Sequence, residues 1–284
     1  MKKLLAIIPA FALLLCCLSS CSQKSDPVSS SGQRVLVDAH YYPTLPETVW
    51  HYRVDSTGAD KKTVRDAYRL NARITNETFM NNDTAYAVQV NETVTAAGST
   101  YDTLYARKDE RGVFMSSPVL RGFSLLGQYP QLGQFLSGDF PKEFMIVPLH
   151  PEYVTNWDIL RFDLTGIPLI QVYFHVTAQY MGREDVSTAG GIYKECAKVR
   201  ISVDATFPNP QDPTNILNPI RIKDKADFWL ARPLGIVVGD GAESIFLLMN
   251  GRIPLSLTPS SKTLHMEVLD MSIAQPSGPC ATFK

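Results

Sequence analysis

Along most of this chain hydrophobic and polar residues change places at every second position. Successive side chains of a strand point to opposite faces, so this period marks half-buried β-strands. Trp50, Tyr52 and Val54 share one face of a predicted strand over 48–54, and Asp55-Ser56-Thr57-Gly58 is expected to turn the chain. Tyr68, Leu70, Ala72 and Ile74 alternate with Arg69, Asn71, Arg73 and Thr75 in the next. Asn81-Asn82-Asp83 breaks that strand, and Tyr86, Val88 and Val90 resume the pattern. Beyond Ala97-Gly98-Ser99, Tyr101, Thr103 and Tyr105 mark the face of a fourth strand. Asp109-Glu110-Arg111-Gly112 is a polar hairpin tip leading into Val113-Phe114-Met115. The second part of the chain repeats the style, with strands over 144–147 and 157–162. Leu169, Val172, Phe174, Val176 and Ala178 set the inner face of another, within 168–180. After Gly190-Gly191, Tyr193, Ala197, Val199, Ile201 and Val203 oppose Lys194, Lys198, Arg200 and Ser202. The segments 220–231, 235–238, 243–249 and 263–273 read as further strands, and 207–219, rich in Pro, Asn and Asp, as a loop. The pattern predicts an all-β fold: long antiparallel strands in two similar meander halves forming a curved sheet, half-barrel or sandwich, with little helix.

The pattern also divides the chain. Residues 41–117 form the first meander, 118–143 a connector, 144–275 the second meander and 276–284 a frayed tail. The connector carries Gly122, Gly127, Gly133, Gly138 and Pro130 among Leu and Phe side chains, which are expected to pack on the sheet. Two pairs of segments echo one another in the same order. Tyr42-Pro43-Thr44-Leu45 before Trp50 parallels Val147-Pro148-Leu149 before Trp157. Leu104-Tyr105-Ala106-Arg107 before Gly112-Val113 parallels Trp229-Leu230-Ala231-Arg232 before Gly235-Ile236-Val237. A duplicated meander accounts for both echoes.

The first twenty-one residues lie outside this pattern. Met1-Lys2-Lys3 is a positive start, 4–15 is apolar, and Leu18-Ser19-Ser20-Cys21 closes the run with small residues before a cysteine. The run is short for a bilayer span and has the order of an export signal. Its closing tetrad resembles the lipobox of bacterial lipoproteins. The resemblance implies removal of 1–20 as a lipoprotein signal peptide and lipidation of Cys21, which becomes the first mature residue and carries three acyl chains. One acyl chain binds membrane only marginally, so several make the anchor stable. Ser22 stands where the family's inner-membrane retention residue is Asp, which favours the bacterial outer membrane. Residues 21–40 then read as the lipidated Cys and a flexible tether. Its polar stretch over 22–33 spans about 20 Å as a coil and about 40 Å fully stretched.

Without Lys2 and Lys3 the 27 basic residues fall to 25 against 28 acidic, a net charge of −3. No basic excess is available for phosphates, which argues against a nucleic-acid partner. Only 19% of residues are charged and 10% are aromatic, a balance that suits strands. After processing, Cys196 and Cys280 remain, and the sequence leaves open whether they pair or stay thiols. A Pro-Leu entry to a Trp strand is followed by Gly191-Ile192-Tyr193-Lys194-Glu195-Cys196-Ala197-Lys198-Val199. An aromatic-Ala strand then leads to Gly235-Ile236-Val237-Val238. This succession resembles a group of bacterial lipoproteins built almost wholly of long antiparallel strands. No activity comes with that group, so the resemblance implies architecture and address alone.

Candidate chemistry is sparse. His40, His51, His150, His175 and His265 show no metal-ligand spacing, and no phosphate-binding loop or dinucleotide fingerprint occurs, so no cofactor and no metal is expected. Gly122-Phe123-Ser124-Leu125-Leu126 lacks the second glycine of a nucleophile elbow. Asp224, Asp227, Asp240 and Glu243 gather near strand ends, where paired carboxylates would suit glycoside hydrolysis, although such acids are more often solvated turn residues. Asn76, Asn82 and Asn91 each begin an Asn-x-Thr acceptor pattern, a poor reading behind a bacterial signal. Trp50, Trp157, Trp229, Tyr52 and Tyr105 serve a core first and a pocket second. The expectation is a non-enzymatic, lipid-anchored envelope protein whose sheet surface or groove takes an apolar ligand or an envelope protein. The alternative is a surface hydrolase or glycan-processing enzyme with a site built from loops. Convergent carboxylates in a polar cleft would mark the second, and an apolar groove without them the first.

Overall fold

The structure is a computed structural model, which describes residues 40–116, 143–164, 172–207, 219–250 and 261–273. The signal, Cys21, the tether, most of the connector, Cys280 and the tail lie outside the described residues.

Twelve strands account for nearly all of it. They are β1 (Val49–Thr57), β2 (Thr63–Asn81), β3 (Thr84–Thr95), β4 (Gly98–Asp109), β5 (Gly112–Ser116), β6 (Glu143–Pro148), β7 (Asn156–Leu164), β8 (Val172–Thr188), β9 (Gly191–Phe207), β10 (Ile220–Ala231), β11 (Gly235–Ala242) and β12 (Thr263–Ser272). All belong to one antiparallel sheet in the order β6-β5-β4-β3-β2-β1-β12-β11-β10-β9-β8-β7. Each half is a six-strand meander, and the first and last strands of the chain join them, with Trp50 opposite Met271 and Val54 opposite Met266. Leu104–Arg107 lies in the fourth strand of the first six and 229–232 ends the fourth of the second.

Hairpin chemistry follows from local sequence. Asn82 and Asp83 adopt left-handed φ values of 47° and 65° between Asn81 and its partner Thr84, which is the two-residue turn Asn and Asp tolerate. The first turn comes later than expected. β1 runs through Thr57, and the chain reverses over 58–62, where Gly58 N–H donates to Lys62 O and Lys61 N–H to Gly58 O.

The sheet curls because its ladders slip repeatedly. Register shifts fall at His51/Tyr52, Val54/Ser56, Ile74/Thr78, Val113/Phe114, Asp158/Leu160, Tyr180/Gly182, Glu184/Val186 and Trp229/Leu230. An extra residue in one strand bends it and increases its twist. The result is a large, nearly closed half-barrel whose edge strands β6 and β7 approach one another, Trp157 Nε1 in β7 donating to Ile146 O in β6 at 3.2 Å. The β8–β9 hairpin is long enough to fold back on the sheet, and its tip docks on β12 through Ala189 N–H to Glu267 Oε2 and Gly190 N–H to Val268 O.

Among the described residues two short helices interrupt the strands, α1 (Pro151–Val154) and α2 (Glu243–Met249). The second corrects the strand expected over 243–249. Ile-Phe-Leu-Leu-Met is apolar without alternation, and such a run fits a buried strand or a buried helix equally well. Here Ile245 and Phe246 are buried against the core and Leu248 and Met249 pack on its edge, so α2 lies across the concave side of the sheet. The Phe246 ring meets that of Phe228 in β10 at 5.3 Å.

One end of the half-barrel is closed by the segment before β1. His40 Nε2 bonds Asp109 O at 2.8 Å, and the Arg232 guanidinium lies over the buried Tyr41 ring while donating to Leu149 O. Trp50 Nε1 donates to Leu234 O at 2.7 Å in the turn between β10 and β11. Residues from both meanders therefore meet at this end.

Candidate binding cavity

The strand faces decide what lines the interior. Trp50 and Tyr52 from β1, Leu70 and Ala72 from β2, and Val199 and Ile201 from β9 point inward, as their alternation predicts, and Phe228 and Leu230 from β10 join them. In β3 and β4 the inward face is the opposite of the one expected. Leu104 and Ala106 are buried inside, with Gln89 paired to Leu104 and Asn91 to Asp102 across the ladder. Tyr86, Val88 and Tyr105 lie on the outer face, where the Phe79 ring stacks on Tyr105 at 4.1 Å and meets Tyr86 at 6.2 Å. Tyr101, placed by alternation on the same face as Tyr105, is exposed. The aromatic period was real but belonged to a second apolar cluster outside the barrel.

This inversion puts two amides into an apolar interior. Gln89 is 6% exposed and Asn91 2%. Gln89 Nε2 donates to Asn91 Oδ1 at 2.6 Å, and Asn91 Nδ2 donates to Asn250 Oδ1, at the end of α2, at 2.9 Å. Gln89 Oε1 is buried with no hydrogen-bond partner among the described residues. Polar alternation gave no hint of these three, because Gln89 and Asn91 occupy the positions a solvent face would use.

The space they line is a cavity of about 80 Å³ between the two meanders and α2. A smaller one of about 20 Å³ lies towards β6, β7 and β8 and shares Met115, Ile146 and Met249 with the first. No Asp, Glu, Lys, Arg or His is among the described lining residues of either. The ionisable side chains at the larger one are Tyr42 and Tyr52. Burial pushes both phenols up, and Tyr52 Oη donates to Ile236 O at 2.9 Å. The interior is therefore neutral at any physiological pH.

Of the acids singled out by sequence, Asp227 and Asp240 are cross-strand neighbours away from the cavity, and Asp224 lies apart from them beside Ser244. Asp224 accepts a hydrogen bond from Ser244 Oγ at the start of α2, while Asp227 lies on the outer face beside Asp240 across the β10–β11 ladder. Arg200 grips both Asp227 oxygens, at 2.7 and 2.9 Å, and holds its carboxyl below the usual range. A paired carboxylate is the opposite of a general acid, which needs a raised value. Glu243 begins α2, and its backbone N–H donates to Lys262 O.

The histidines are scattered. His51 bonds Asn71, His150 faces Glu152, His175 lies against the Tyr173 ring, and His265 is opposite Asp55 and Asp240 on β12. Among the described residues no three of His, Cys, Asp and Glu gather as a metal site. Trp229 stacks under the Lys198 ammonium outside the sheet, and Trp157 closes the β6–β7 approach, so of the five aromatics considered only Trp50 and Tyr52 line the cavity. Cys196 is a fully buried thiol whose S–H donates to Tyr193 O. Asn91 points inward and offers no surface for a glycan. The Gly122–Leu126 stretch lies outside the described residues.

No family model and no curated protein matches the chain. Two solved structures are similar to it. One is a candidate lipoprotein of Parabacteroides distasonis, with 10% identity, a TM-score of 0.42, and 82% of this chain and 98% of that one covered. The other is a candidate exported protein with a YmcC-like fold from Bacteroides fragilis, with 15% identity, a TM-score of 0.41, and coverage of 83% and 100%.

Proposed function

We propose that the protein is a non-enzymatic binding module of the bacterial envelope, held on the outer membrane by lipid on Cys21 and receiving an apolar ligand inside its half-barrel. The address rests on the signal: the positive start, the apolar run and Leu18-Ser19-Ser20-Cys21 are the features of a lipoprotein precursor. The binding role rests on the interior: a cavity walled by apolar side chains from both meanders, with a few placed amides and no charge, is the usual composition of a small-molecule site. None of Asp224, Asp227, Asp240 and Glu243 lines the cavity, and Asp227, beside Asp240 on the outer face, is held as a carboxylate by Arg200, which favours binding over the hydrolase alternative.

The test is mass spectrometry of the chain purified from its native envelope, with Cys21→Ala alongside. The expected result is a triacylated N-terminal Cys21, loss of the Cys21→Ala chain from the membrane fraction, and an apolar small molecule released on denaturation. An unacylated soluble product would defeat the anchor, and a native chain that carries no apolar molecule and takes up none would defeat the binding role.

A further inference from the structure

The interior amides restrict what the ligand can be, an inference that rests on the binding reading above. Gln89, Asn91 and Asn250 form a chain of one polarity, Gln89 Nε2 donating to Asn91 Oδ1 and Asn91 Nδ2 to Asn250 Oδ1. The chain has a start without a partner among the described residues, the buried Gln89 Oε1. A buried acceptor left unpaired is expensive, so this atom is set to receive a donor. The donor has to be neutral. An ionised carboxylate or phosphate has no proton for Gln89 and would lose its hydration beside no counter-charge. An ammonium would meet no carboxylate among the described lining residues.

The apolar part of the site favours a flexible chain. Met115, Met249 and Ile146 separate the two cavities, and unbranched Met side chains move aside at little cost. At about 80 Å³ the larger space takes a hydroxyl and the first few carbons, and the rest of an alkyl chain enters by displacing these methionines towards the smaller one. We propose that Gln89, Asn91 and Asn250 are the headgroup site for a neutral single-chain alkyl alcohol. The competing occupant is ordered water, which polar cavities of this size commonly hold.

The experiment is displacement of the fluorescent probe N-phenyl-1-naphthylamine from the purified chain by 1-decanol and by decanoate at pH 8, for the unsubstituted protein and Gln89→Leu. Decanol is expected to displace the probe at a concentration about tenfold lower than decanoate, and Gln89→Leu to remove that tenfold advantage, each compound being compared with the same variant's own probe affinity. Equal displacement by the two compounds, or a Gln89→Leu chain with its decanol preference intact, overturns the headgroup assignment and leaves the binding role standing. A chain that takes up no probe and neither compound overturns both. Where Gln89→Leu fails to fold, thermal unfolding of the unsubstituted chain decides: decanol raises the midpoint and decanoate does not, and equal shifts refute the assignment.

Discussion

Replacing Trp50 by Phe tests how the two meanders are held together. The indole is 1% exposed, packs against the Tyr42 ring at 5.7 Å, and donates Nε1–H to Leu234 O at 2.7 Å. It thus ties the first strand of one meander to the β10–β11 turn of the other. Phe removes the donor and leaves the Leu234 carbonyl unpaired in a part-buried setting, a loss of about 1–2 kcal/mol. It also removes three ring atoms from a packed site, which adds about 1–2 kcal/mol of lost burial and cavity. The expected total is about 3 kcal/mol, or about 6–12 °C in the thermal midpoint for a domain of this size. Trp157→Phe is the internal control. That indole is 7% exposed and its bond to Ile146 O is longer, at 3.2 Å, between two sheet edges, so its loss costs less. Urea unfolding followed by circular dichroism measures both. A Trp50→Phe cost below about 1 kcal/mol, or one smaller than that of Trp157→Phe, would refute the reasoning.

Three further expectations follow from other sites. Arg200 lowers the carboxyl of Asp227, and Arg107 that of Glu143, so both acids stabilise the fold above their unfolded values and lose that contribution as pH falls through their folded ones. The thermal midpoint of Asp227→Asn should therefore fall less between pH 5 and pH 3 than that of the unsubstituted chain, and parallel curves would contradict the pairing. Burial, with Asp185 and Glu184 adding to it, pushes the Cys196 thiol up to about 11. Iodoacetamide at pH 8 should leave the Cys196 peptide unmodified until denaturant is added, and labelling at the rate of an exposed thiol would show that the site opens. Phe246→Ala should cost about 3–5 kcal/mol in urea unfolding, because the ring is buried between Phe228 and Gly239; a near-neutral result would mean that α2 does not pack on the sheet.

The sequence by itself determined the class of fold and much of its register. Period-two alternation set the inward faces of β1, β2 and β9, and Asn82-Asp83 set a two-residue hairpin, because these choices are made by a residue and its nearest neighbours. Alternation failed where both faces of a strand are covered. In β3 the aromatic face packs outside against Phe79, so Gln89 and Asn91, in positions proper to solvent, face the cavity instead. The apolar run of α2 was equally ambiguous, since only the concave sheet beneath it makes a short helix bury Ile245 and Phe246. The joining of β1 to β12 and the curl that brings Trp157 to Ile146 were likewise decided by tertiary structure. Local pattern says which side of a strand avoids water, whereas ladder slips and the pairing of distant strands determine what that side encloses.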